Sequence, residues 1–329
     1  MKSLDVNDRL DQYLIRDVLA VTITATVFKG QDAETGRFVC IKVPNPQCEL
    51  DPVFRERFAR EARILGRLHH PNIVRTVEPR ATSRSYLVTE FVEGQSLRSL
   101  LAAGPLPVER AVAIARQVCG ALAYLHEQKV VHRDIKPENV LLASDGSVKL
   151  IDFGIALDRT ARRLTWAGRF RIIGTPDYMS PEQIKGHRGD ARSDTYAAGV
   201  LLYEMLTGAL PFAGDDTFAH SEIIEAPVAP TYFRPDLDAN LGAVVCKAIA
   251  VAPRERYQNA ADLLKCLCNP LACAEAEATR AATRAGIRGP LIRRALMTAV
   301  LAALASLVWV SHQPAPARAH VDRVATESR

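Results

Sequence analysis

The sequence predicts an α+β chain in which a strand-rich lobe precedes a helical one. Three observations carry this. Residues 13–45 are rich in β-branched residues and threonine, residues 52–69 switch to helical spacing, and after Gly94 long amphipathic stretches dominate. A length of 329 residues allows one large two-lobed domain or two small ones. With 48% hydrophobic and 24% charged residues the composition is globular and excludes general disorder. A net charge of +5 is too weak to argue for a nucleic-acid partner. The 7 cysteines are odd in number and scattered. They do not read as a disulfide framework, and they point to a reducing compartment.

The elements follow in order. Val18, Leu19, Val21, Ile23 and Val27 mark strands, Asp32-Ala33-Glu34-Thr35-Gly36 a turn, and Phe38 to Val43 a further strand. Phe54, Phe58, Leu65 and Leu68 recur three, four or seven apart, which predicts a helix over 52–69. Tyr86 to Thr89 returns to strand. Helices are then expected over 108–128, 194–207, 238–251 and 259–267. Residues 269–290, rich in Ala, Arg and Glu, read as a helical or loose linker.

The start of the chain is polar and carries acids, so no signal peptide is expected. Near the other end, Ala295 to Val310 holds no charged residue, and Leu291 and Ile292 extend the run. Arg280, Arg284, Arg288, Arg293 and Arg294 stand just before it. A spanning helix needs ~20 apolar residues. The run is therefore read as a single membrane helix over 291–311, with the arginine side in the cytoplasm and a short tail, 312–329, outside. A buried C-terminal helix is the bland alternative. The tail is too short to fold as a sensor domain, so any input comes from the cytoplasm, the helix or homodimerisation.

Three motifs carry chemistry. His132-Arg133-Asp134-Ile135-Lys136-Pro137-Glu138-Asn139 is followed by Asp152-Phe153-Gly154, then by Gly174-Thr175-Pro176-Asp177-Tyr178-Met179-Ser180-Pro181-Glu182. In this order and spacing they resemble the eukaryotic-type (Hanks-type) serine/threonine protein kinases. With the apolar C-terminal run the chain is similar to the bacterial transmembrane members. The resemblance covers residues 13–268 and implies the two-lobed protein kinase fold, with an N-lobe over 13–90, a C-lobe over 91–268 and ATP between them. Residues 1–12 stand as an extension before it.

The resemblance also implies roles. Phosphoryl transfer needs positioning and charge neutralisation more than covalent help. Asp134 is implied to accept the substrate hydroxyl proton, and Lys136 to neutralise the moving phosphoryl group. Asn139 and Asp152 are implied ligands of Mg²⁺ (or Mn²⁺) on ATP. Lys42, in Val39-Cys40-Ile41-Lys42, matches the ATP-anchoring lysine, with Glu61 as its partner. Backbone groups near Glu90 and Val92 match the adenine-binding hinge. Asp194 matches the aspartate that holds the catalytic loop, and Glu182 with Arg256 a buried ion pair. The implied partners are protein substrates, the chain itself included, and the membrane; nucleic acid is not among them.

Two segments depart from the family. Its loop G-x-G-x-x-G-x-V aligns with Ala20-Val21-Thr22-Ile23-Thr24-Ala25-Thr26-Val27, so all three glycines are gone. Ala20, Thr22 and Ala25 each add a Cβ where close approach to phosphate is wanted, with Val27 kept beyond them. The loop is expected to be stiffer, and ATP to bind weakly or in a shifted pose. This sustains the alternative of a pseudokinase scaffold at the membrane. Second, Thr160 and Thr165 are the only hydroxyl residues between Asp152 and Gly174, among Arg159, Arg162, Arg163, Arg169 and Arg171. A phosphate on one of them is expected to order the segment against Arg133, with Thr175 as a further regulatory position; a solvated basic loop is the bland reading. Cys266, Cys268 and Cys273 read as free thiols at a helix end rather than a metal site.

Overall fold

The computed structural model describes residues 4–154, 157–158, 176–212 and 227–284. The first lobe is an antiparallel sheet in sequential order: β1 (Arg9–Leu10), β2 (Tyr13–Val21), β3 (Ala25–Asp32), β4 (Phe38–Pro44) and β5 (Leu87–Glu90). Alternation decides its faces. Val39, Ile41 and Val43 of β4 enter a core with Tyr13, Ile15, Phe28 and Val88. Cys40 and Lys42 therefore point to the other face. The register sets Ala20 opposite Val27 and Val27 opposite Lys42. Three expected site residues thus lie on one row across three strands.

Helix α1 (Pro46–Glu49) is a single turn, and α2 (Pro52–Gly66) follows it. The Asp51 carboxylate caps α2 by accepting from Val53 N–H, with Pro52 in the first turn. Phe58, Glu61 and Leu65 share its buried face. Spacing by three and four puts Glu61 on the stripe that faces the sheet.

The second lobe is helical, with a small sheet of β6 (Gly94–Ser96), β8 (Val140–Ala143) and β9 (Val148–Leu150) under the hinge. β7 (Val130–Val131) pairs with β10 (Leu157–Asp158). The helices are α3 (Leu97–Leu101), α4 (Val108–Glu127), α5 (Pro181–Ile184), α6 (Ala191–Thr207), α7 (Pro230–Phe233), α8 (Ala239–Ala248), α9 (Ala260–Cys268) and α10 (Pro270–Arg284). α6 is buried from Ser193 to Leu206 and forms the axis of the lobe. Gly208, at φ 72°, ends it in the left-handed cap that glycine takes without strain.

Of the two forms expected for the stretch 269–290, residues 270–284 take the helical one, packed against α8 and α9. One expectation is corrected here. Cys266 and Cys273 are joined by a disulfide, Cα to Cα 5.4 Å, and are not free thiols. The reason is tertiary: α10 folds back on α9 and brings the two together, while Cys268 stays free and exposed. Among the described residues no helix is long and apolar enough to cross a membrane. The expected span, 291–311, lies outside them, as does the tail after it.

Candidate active site

Lys42 crosses from the sheet to the loop after β9. Its ammonium donates to Glu61 Oε1 at 2.8 Å and Oε2 at 3.1 Å, and to Asp152 Oδ1 at 2.9 Å. Burial alone would lower the Lys42 pKa, but the charges of Glu61 and Asp152 outweigh it and raise it. Burial raises the Glu61 carboxyl despite Lys42 beside it. Burial would also raise Asp152, yet Lys42 and the Gly154 N–H hold it below the usual carboxylate range. Asp152 stays ionised and 43% exposed on its side chain. Gly154 sits over this triangle. A Cβ there would lie 3.1 Å from Asp152 Oδ1 and 3.5 Å from Glu61 Oε2, so a side chain would crowd the carboxylates.

The catalytic loop is assembled by backbone and buried polar groups. Asp194, fully buried in the first turn of α6, accepts from His132 N–H and Arg133 N–H and pairs with His126 Nε2 at 3.0 Å. Arg133 and Asp152 have φ of 73° and 62°, conformations that cost a non-glycine residue roughly 1–3 kcal/mol. The strained turns flank the reacting groups. The Asn139 amide donates to the Asp134 carbonyl at 2.8 Å and to Asp134 Oδ2 at 2.9 Å. Lys136 Nζ sits 3.0 Å from the same oxygen.

This donor set fits a divalent cation. With its amide nitrogen spent on Asp134, Asn139 can offer only its Oδ1, and Asp152 offers an ionised carboxylate. Two hard protein oxygens, with phosphate and water for the rest, suit Mg²⁺. The hinge backbone is partly committed at Glu90. Glu90 N–H donates to the Arg75 carbonyl, and its carboxylate accepts from Lys149 and Arg75 N–H. A contact with adenine at Glu90 therefore falls to its carbonyl. Val92 lies partly buried beside the main core. Cys40 is half-buried and its thiol is pushed up by burial, so it behaves as a small hydrophobe.

The structure brings together Lys42, Glu61, Asp134, Lys136, Asn139 and Asp152, and sets Ala20 and Val27 on the row of Lys42. Thr160, Thr165 and Thr175 lie outside the described residues. Burial holds Arg133 below its usual pKa; Asp194 opposes this, while Arg188, Arg57 and Arg60 add to it. Among the described residues its Nε has no hydrogen-bond partner. The buried pair is also as expected: Arg256 donates to Glu182 at 2.8 and 2.9 Å.

Two groups escaped the sequence reading. Arg98 of α3 donates to Glu138 of the catalytic loop, to Glu204 of α6 and to the Tyr178 hydroxyl. No local pattern marks a residue whose partners lie 40 to 106 positions away. Asn45 binds the tip of the β2–β3 hairpin. Its signal was the Pro44-Asn45-Pro46 turn just beyond the lysine strand.

The protein kinase domain family model matches residues 23–271. The chain is 38% identical over 264 residues to serine/threonine-protein kinase PknB of Mycobacterium leprae, covering 77% of this chain and 42% of that protein. It is 40% identical over 260 residues to a probable serine/threonine-protein kinase of Streptomyces coelicolor, covering 77% and 39%. The chain thus spans about two-fifths of the length of these curated relatives. Among solved structures, the Mycobacterium tuberculosis PknI kinase domain superposes with a TM-score of 0.64 at 28% identity, over 82% of this chain and 100% of that one.

Proposed function

This chain belongs to the protein kinase family, and we propose that it transfers the γ-phosphate of ATP to serine or threonine of proteins, itself included. One observation carries the reading: Lys42, Glu61 and Asp152 already form the closed ion-paired triangle that ATP needs. A scaffold without catalysis has no use for an ionised, half-exposed Asp152 or for left-handed backbone at both Arg133 and Asp152.

The steps follow from the residues. Lys42, fixed by Glu61, holds the α- and β-phosphates. Mg²⁺ held by Asn139 and Asp152 would neutralise charge as the γ-phosphate leaves. Asp134 takes the hydroxyl proton of the substrate. Asn139 holds both its backbone carbonyl and its Oδ2, so the carboxylate cannot swing. Lys136, on the same oxygen, is placed to follow the phosphoryl group. Arg133, unpaired at Nε and near Arg57, Arg60 and Arg188, suits an anion, and we assign it a phosphate on Thr165 or Thr160.

The test is autophosphorylation of the full chain with Mg²⁺ or Mn²⁺ beside Asp134→Asn. Phosphate on Ser or Thr that disappears in the variant is expected. No transfer with either metal, to itself or to a generic basic protein, would return the chain to the pseudokinase reading. We also propose a membrane anchor over 291–311, on the strength of its uncharged run behind the arginines. The full chain should resist carbonate extraction from membranes, and release by carbonate would refute the anchor.

A further inference from the structure

The hairpin over the nucleotide site has lost its glycines, yet its tip is tied down by a residue from outside the hairpin. Asn45 does the tying. Its side-chain amide donates to the Thr22 carbonyl at 2.8 Å and the Ile23 carbonyl at 3.1 Å. Its backbone N–H donates to the Thr24 carbonyl at 2.9 Å. Its Oδ1 accepts from the Thr26 hydroxyl at 3.1 Å. Three consecutive tip carbonyls are thus held by one residue. The Thr22 hydroxyl closes the turn from within, accepting from Ala25 N–H at 3.0 Å and donating to the Ala25 carbonyl at 2.7 Å.

Peptide geometry converts this into a statement about donors. In a planar trans peptide the N–H points opposite to the preceding C=O. The Thr22 and Ile23 carbonyls point at Asn45, so the N–H groups of Ile23 and Thr24 point away from it. Thr22 N–H is used by the Ala25 carbonyl and Ala25 N–H by the Thr22 hydroxyl. Among the described residues, the adjacent tip N–H groups of Ile23 and Thr24 make no hydrogen bond. Adjacent outward N–H groups are what a phosphate oxygen takes from a loop.

We infer that Asn45 is a positioning residue for ATP: it fixes the peptide planes of residues 22–24 so that Ile23 and Thr24 N–H meet the β- and γ-phosphates. Glycine-rich loops reach such an arrangement through backbone freedom. Here a side chain from the end of the lysine strand imposes it. Since Lys42 lies only three residues before Asn45, one strand end sets both the cation and the backbone donors. The inference rests on the kinase reading above.

The experiment measures the affinity of the full chain for ATP with Mg²⁺ and for adenosine, beside Asn45→Ala and Asn45→Asp. The Asp variant keeps the acceptor for Thr26 but turns a carboxylate on the Thr22 and Ile23 carbonyls. It also stands in if the Ala variant fails to fold, which the melting temperature reports. Losing one hydrogen bond to a charged group corresponds to about ten-fold or more. Both variants should bind ATP about ten-fold more weakly, with adenosine affinity and the KM for a peptide substrate unchanged. Parallel loss of ATP and adenosine, or no loss, would overturn the role of Asn45. So would a wild type that binds ATP no better than adenosine. The kinase reading is judged separately, by transfer that depends on Asp134.

Discussion

At the scale of single residues, Lys42 is the point where three charges meet, and its neighbours are not equivalent. Glu61 is buried and shifted upward, whereas Asp152 is exposed and shifted downward. Removing the cation by Lys42→Met leaves Glu61 to take up a proton and Asp152 to swing free. Electrostatic groups of this kind are worth about 10²–10³ in rate, so kcat/KM for a peptide should fall by that factor. Glu61→Gln leaves Lys42 held by Asp152. It should cost only about ten-fold, the value of one charge-assisted hydrogen bond. Steady-state kinetics of both variants decide the matter. Equal losses would show that Asp152 alone cannot hold the lysine. Most of this site was legible in the sequence, because Lys42 interrupts an apolar strand and the acids stand in short fixed motifs. What sequence could not give was the inequality, since burial depends on how α2 packs.

At the scale of elements, the hairpin reverses an argument that sequence alone supports. In the sequence, three missing glycines argue that restoring them would help ATP bind. The hydrogen bonds argue the opposite. Thr22→Gly removes the hydroxyl that closes the turn on Ala25, and glycine at 20 and 25 adds backbone freedom of about 0.5–1 kcal/mol each. The triple change Ala20→Gly, Thr22→Gly, Ala25→Gly should therefore raise the KM for ATP several-fold and lower the melting temperature. A lower KM would mean that the tip as it stands obstructs the phosphates. The strands of the first lobe and the long helices were otherwise legible within a few residues, since β4 alternates and α2 keeps its three-and-four spacing, whereas the short strands β6 to β9 of the second lobe were not. The disulfide and the docking of α10 were not. Seven positions separate Cys266 from Cys273, and only the return of α10 along α9 makes them neighbours.

At the scale of the whole molecule, the second lobe is organised by α6, whose two ends hold the catalytic loop and the Arg98–Tyr178 pair. Asp194 at its start carries His132 and Arg133, and Glu204 near its end accepts from Arg98 and Tyr178. Arg256 ties this axis to the segment bearing Glu182. It is fully buried and lies over the Tyr196 ring, 4.6 Å from its centroid. Buried ion pairs can often be replaced by apolar residues without loss. This one should resist, because the guanidinium also donates to the carbonyls of Ala250, Val251 and Arg192. Those carbonyls lie just after α8 and at the start of α6, and no apolar side chain can donate to them. Arg256→Met should cost about 3–5 kcal/mol, since it leaves Glu182 unpaired. Adding Glu182→Leu removes that stranded charge but leaves the carbonyls of Ala250 and Val251, each worth about 1–3 kcal/mol when orphaned. The double variant should recover less than half of the loss in urea denaturation of the full chain. Near wild-type stability in the double variant would show that the pair acts as an ion pair alone, and that the two helix ends hold without it.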